Sequence, residues 1–197
     1  MTDLLARLAA LAAALDRGDD QAAAAAAAEL AATDGPETLR EALRQLHLFR
    51  GFPRALHALG LAADALAGPP PAADPTGADP ERGEAVFRRL YGPDAEMVLD
   101  RIRALDPVLA DWILDHAYGR VIAREVLPLT VRERLALLLL AADGCWNQWR
   151  SHARIALRLG IPPDRLAADL ELAGWLDPAT RGRAADLLRD LTGGPDG

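Results

Sequence analysis

Lysine is absent from this chain: all 22 of its basic residues are arginine. That removes lysine Schiff-base chemistry and the lysine of a phosphate-binding P-loop. Cysteine occurs once, at Cys145, so neither an internal disulfide framework nor a Cys-x-x-Cys redox pair can form. Asparagine and serine also occur once each, at Asn147 and Ser151. Aromatics make up only 5% of the residues and β-branched residues are sparse, which leaves strands little to be built from. No apolar run approaches the ~20 residues of a membrane span; even Leu135–Ala142 is short. The first residues, MTDLLARLAALAAALDRG, carry an acid before the apolar run and no cleavage signature, so they read as an amphipathic helix and not as a signal peptide. With 29 acidic residues the net charge is −7, and no basic stripe is present to hold nucleic acid. The expectation is a cytoplasmic protein with neither nucleic-acid nor membrane partners.

What the chain does contain is alanine and leucine, both strong helix formers, in a sequence 51% apolar. An all-α fold follows. Turn signals at Arg17-Gly18-Asp19, Asp34-Gly35-Pro36 and Gly51-Phe52-Pro53 divide the N-terminal part into helices, the last running to about Leu66. Residues 68–80, GPPPAADPTGADP, have no apolar pattern and read as an extended linker. Beyond it the pattern predicts helices over 81–90, 94–104, 107–126, 130–142, 145–160, 164–173 and 178–191. Thr130 stands as the N-cap of the fourth of these, with Glu133 at the capping-box position. The domain reading is a helical unit at 1–67, the linker, and a second unit at 81–197. A shift of 127 residues lays 14–21 on 141–148 and 28–39 on 155–166, an internal repeat in which Ala6, Gly18 and Ala25 fall where Glu133, Cys145 and His152 stand. The first copy thus keeps the shape without the reactive groups, and the two are expected to pack as a pseudo-dimer.

Candidate chemistry concentrates between Leu129 and Gly160. Cys145 falls at a helix start, where the macrodipole and free amides lower a thiol pKa. Gln148 and His152 follow three and seven residues on, along one helical stripe flanked by Trp149. Glu133 lies on the preceding helix, and an antiparallel hairpin returns it to His152, so a Glu–His–Cys relay is geometrically allowed. The plainer readings stand beside this one. A lone cysteine often acts as a small hydrophobe, a buried histidine can be merely hydrogen-bonded, and Glu133 can simply close its capping box. Arg132, Arg150 and Arg154 have the chemistry to grip substrate carboxylates, although Arg150, Arg154 and Arg158 also fit a solvated helix face. His116, next to Asp115 and near Tyr118, lies on the helix leading into the site. His47 and His57 read as surface or interface residues. No histidine has a partner at metal-ligand spacing, so no metal is expected, and no cofactor.

Residues 85–174 resemble the carboxymuconolactone decarboxylase and alkylhydroperoxidase D superfamily. The likeness rests on the Gly119–Arg124 segment, Thr130-x-x-Glu133-Arg134, an apolar helix, and Gly144 followed eight residues later by His152. It continues through His152-Ala-Arg154-x-Ala-Leu157-x-x-Gly160, Pro163 and Leu166. The closing part of the first copy, residues 39–62, resembles the closing helices of the same family. The resemblance implies an AhpD-like helical fold that assembles as a homo-oligomer, and either of two chemistries. In the peroxidase branch Glu133, Cys145 and His152 fall on the Glu, first Cys and His of the site, but the second Cys is Gln148 here. A disulfide cycle within one chain is therefore impossible, leaving a single-cysteine peroxidase (peroxiredoxin activity). The decarboxylase branch needs no thiol and implies a lyase acting on a small lactone or carboxylic acid. His152 would be its general acid/base, Glu133 would orient it, and Arg154, Gln148, Trp149, Tyr118 and His116 would line the substrate. A non-catalytic helical oligomerisation module is the third expectation.

Overall fold

The computed structural model describes residues 3–68 and 79–193. Among them there are only helices and turns, as expected of an all-α chain: α1 (Leu4–Arg17), α2 (Asp20–Asp34), α3 (Pro36–Leu61), α4 (Pro80–Tyr91), α5 (Ala95–Leu105), α6 (Pro107–Trp112), a π-helix (Ile113–Ile122), α7 (Leu129–Ala142), α8 (Trp146–Arg158), α9 (Pro163–Leu172) and α10 (Pro178–Thr192). Most of the expected linker, from 69 to 78, lies outside the described residues. No described helix is long and apolar enough to cross a membrane.

Much of the acidic excess is used locally. Asp3, Asp19, Asp79, Asp106 and Asp177 each accept a backbone N–H at the start of a helix, satisfying donors that the first turn leaves without intrahelical partners. The turns close on glycine: Gly18, Gly35, Gly144 and Gly160 all have positive φ.

The chain forms two compact units. One combines 1–67 with 127–197; the other is 68–126. Compactness therefore does not follow chain order: the opening and closing helices share one core. In the larger unit α7 is central. It is buried from Leu135 to Ala141 on every side, as a helix apolar all round must be, and it packs against α1, α3, α8, α9 and α10. Leu5, Leu8 and Leu15 of α1, Leu39 and Leu43 of α3, and Trp149, Ala153 and Ala156 of α8 close around it.

In the smaller unit α4 packs along the π-helix. Gly83 and Gly119 allow the two backbones to meet: a β carbon on Gly83 would lie 1.9 Å from the Leu114 carbonyl oxygen. Phe87, Tyr91 and Tyr118 form an aromatic cluster there, with ring centroids 4.3–6.3 Å apart.

Two local expectations change, those for 107–126 and for Thr130, and one at 51–53 holds. The helix expected over 107–126 is instead α6 followed by the π-helix, in which the Ala123 N–H reaches the Tyr118 carbonyl. The break expected at 51–53 is present within the span of α3: Gly51 leaves helical geometry at φ 72° and ψ 166°, and Pro53 follows it. Thr130 is not an N-cap. α7 starts at Leu129 after Pro128, without a side-chain cap, and the Glu133 carboxylate that would have closed the capping box is engaged elsewhere.

Candidate functional site

α7 and α8 form an antiparallel hairpin across the Asp143-Gly144 turn, with Gly144 at φ 65°. Glu133 is in the second turn of α7 and His152 two turns into α8, so the hairpin returns one to the other. Glu133 Oε2 lies 2.7 Å from His152 Nδ1. The Glu133 side chain is 3% exposed and that of His152 18%. Burial pushes the His152 imidazolium down, but the Glu133 charge and its hydrogen bond together push it further up, so its pKa stands above the ordinary value. The ring of Phe49, from α3, stands edge-on to His152 with centroids 6.4 Å apart.

Immediately before Glu133, Arg132 is wholly buried. It donates from Nη1 to Gln45 Oε1 at 3.0 Å and from Nη2 to Glu41 Oε1 at 3.1 Å. Gln45 Nε2 returns a hydrogen bond to the Arg132 carbonyl at 2.9 Å. Glu41 and Gln45 are as buried as Arg132. Arg132 therefore faces α3 and not a substrate. This network escaped sequence reading, because its partners stand 87 and 91 residues apart.

The α7–α8 turn is held from another side. Arg50, just before the α3 kink, donates to both Asp16 oxygens at 2.9 Å and to Asp143 Oδ2 at 2.5 Å. A surface cleft of about 370 Å³ opens beside this clasp, lined by Asp16, Arg50, Arg54, Asp143, Trp175 and Thr180 among others.

Cys145 is the N-cap of α8 and is exposed, with its sulfur 3.9 Å from the Asp143 carbonyl oxygen. Gln148 and Arg154 are also exposed. Trp149 is 1% exposed and belongs to the core. Its place beside the His152 stripe signified packing, which helical spacing alone does not distinguish from a site wall. Arg150 lies 3.8 Å from Asp190. His116 and Tyr118 belong to the π-helix of the smaller unit, where the Tyr118 hydroxyl donates to that of Tyr91 at 3.3 Å. Among the described residues no group of His, Cys, Asp or Glu is arranged to hold a metal.

Residues 107–188 match the carboxymuconolactone decarboxylase family model. The matched stretch contains Glu133, Cys145 and His152, whereas Glu41, Gln45 and Phe49 precede it. Peroxisomal protein 2 of Schizosaccharomyces pombe is 29% identical over 143 residues, covering 68% of this chain and 66% of that protein. The chain thus spans just under two thirds of that relative's length.

Proposed function

We propose, for a chain whose residues 107–188 match the carboxymuconolactone decarboxylase family model, a lyase acting on a small lactone or carboxylic acid, with His152 as general acid/base. The 2.7 Å contact between Glu133 and His152 carries this reading. The carboxylate fixes the ring and its tautomer through Nδ1, which leaves Nε2 to exchange a proton with substrate. In a decarboxylation the bond to the carboxylate breaks and its electron pair passes into the conjugated lactone. His152 then delivers a proton to the carbon that lost carbon dioxide. Exposed Arg154 and Gln148 are the proposed contacts for an acidic substrate. General acid–base catalysis of this kind contributes about 10²–10⁴-fold. The test is decarboxylation and tautomerisation of a panel of lactone acids by wild type, His152→Gln and Glu133→Gln. Turnover that falls by that order in both variants supports the proposal. No turnover, or turnover indifferent to His152, overturns it.

A second reading rests on the exposed Cys145 thiol at the N-cap of α8. Its thiolate attacks a peroxide oxygen, the O–O bond breaks, the alcohol or water leaves, and the sulfur becomes a sulfenic acid. An external thiol then condenses with it, releasing water, and a second thiol frees Cys145. Mass spectrometry after mild peroxide treatment decides this: an unmodified Cys145 excludes it.

The proposed assembly is a homo-oligomer in the cytoplasm. A monomer by sedimentation would remove the first part. Tagged protein concentrated in an organelle, as the relative's name suggests of that relative, would remove the second.

A further inference from the structure

Glu41, Gln45 and Phe49 are spaced four apart, so they form one stripe along α3. Each touches the Glu133–His152 neighbourhood. Phe49 abuts the His152 ring, Glu41 holds the Arg132 guanidinium, and Gln45 holds Arg132 twice, at the side chain and at the backbone carbonyl. That carbonyl belongs to the peptide bond joining Arg132 to Glu133. The Gln45 amide therefore grips the backbone unit from which the Glu133 side chain departs.

The network is costly for what it yields in stability. A buried arginine, glutamate and glutamine lose their hydration, and apolar residues of similar volume usually fill such a space as well or better. What apolar packing does not supply is register. A bidentate amide accepts one setting of α7 against α3, whereas leucine and alanine surfaces accept several. Catalytic geometry tolerates only about half an ångström of error, so groups that carry it need such support.

We propose that Gln45 is a positioning residue for the Glu133–His152 pair, acting through the Arg132–Glu133 peptide, with Glu41 fixing Arg132 behind it. The proposal rests on the reading of that pair as the acid/base of the site. α3 is thereby part of the active machinery although it donates no group to a substrate. Of the elements packed around His152, α7 contributes the carboxylate of Glu133 and α3 the uncharged ring of Phe49.

The experiment is an NMR titration of His152 in the full chain, comparing wild type, Glu133→Gln, Gln45→Met and Leu43→Ala. Met matches the length of Gln without its amide. Leu43→Ala is a core lesion on the same helix and reports plain loss of stability. The expected result is a lowered His152 pKa in Glu133→Gln and in Gln45→Met, with no change in folded Leu43→Ala. A wild-type titration in Gln45→Met overturns the positioning role. If Gln45→Met does not fold, the isosteric Glu41→Gln replaces it, with a downward shift expected and an unchanged titration overturning the proposal. If Glu133→Gln itself leaves His152 unmoved, the acid/base pair fails and this inference with it. If Glu133→Gln shifts His152 and the α3 variants do not, only the positioning role fails.

Discussion

Glu133 and His152 stand 19 residues apart in the sequence and 2.7 Å apart in the fold. Their union depends on the length of the α7–α8 hairpin. The Asp143-Gly144 turn, held by Arg50, lets α8 run back along α7. One residue more or less in that turn would rotate His152 by about 100° around α8 and away from the carboxylate.

The pair makes stability depend on pH with a definite sign. Burial lowers the His152 pKa, the Glu133 charge and hydrogen bond raise it more, and the net shift is upward. A raised folded pKa gives a stabilising increment that is fully present below the unfolded value, near 6.5, and is lost as pH rises through the folded value. Wild type should therefore exceed Glu133→Gln most on the acid side of that value, with the gap narrowing as pH rises through the folded value. Urea unfolding of both proteins across this range checks it. A gap that widens with pH would contradict the pairing.

The parts of the fold written in local signals were readable, and those written in long-range contacts were not. Gly18, Gly35, Gly144 and Gly160 mark their turns because glycine alone enters positive φ without cost. Glu133 and His152 were found because their spacing suits a hairpin. Yet Glu133 carried two local readings, cap or site, and only the fold shows its carboxylate on His152. Trp149 flanks the stripe of His152, and spacing could not tell a core face from a site wall. The π-helix left no trace, since one extra residue per turn hardly disturbs the apolar pattern of 107–126. The grip of Gln45 on Arg132 had no sequence signal at all.

The Gly83–Gly119 approach predicts a ranking of variants. A β carbon on Gly83 meets the Leu114 carbonyl oxygen at 1.9 Å and carbon at 2.8 Å, both rigid backbone. On Gly119 the nearest atom is the Asp79 carbonyl oxygen at 2.9 Å. Gly83→Ala should cost at least the upper end of the roughly 1–3 kcal/mol typical of overpacking, and Gly119→Ala less. Thermal melts of the two variants give the order. Equal melting temperatures would mean that α4 and the π-helix are less closely apposed than this.

Cys145 should react freely with a thiol reagent in the native protein, since it is exposed and its sulfur is held only loosely, 3.9 Å from the Asp143 carbonyl oxygen. Cys145→Ser should then change stability by no more than about 0.5 kcal/mol, as exposed substitutions do. Labelling that needs denaturant, or a large loss of stability in the variant, would show a thiol that the fold encloses.

The buried trio predicts a difference between breaking a network and replacing it. Arg132→Met alone leaves the Glu41 carboxylate, fully buried, without its main cation and should cost about 3–5 kcal/mol. Arg44, which also contacts Glu41 at 3.1 Å, is one-third exposed and compensates only in part. Replacing Glu41, Gln45 and Arg132 together by methionine or leucine removes every one of these groups and fills the same space. Arg44 can then turn to water. The triple variant should recover much of the loss, because the desolvation cost disappears with the charges. If the trio serves position and not stability, His152 in this stable variant should nonetheless titrate lower than in wild type. Denaturation gives the first quantity and NMR the second. A triple variant as unstable as Arg132→Met would show that the network holds the two helices together in its own right.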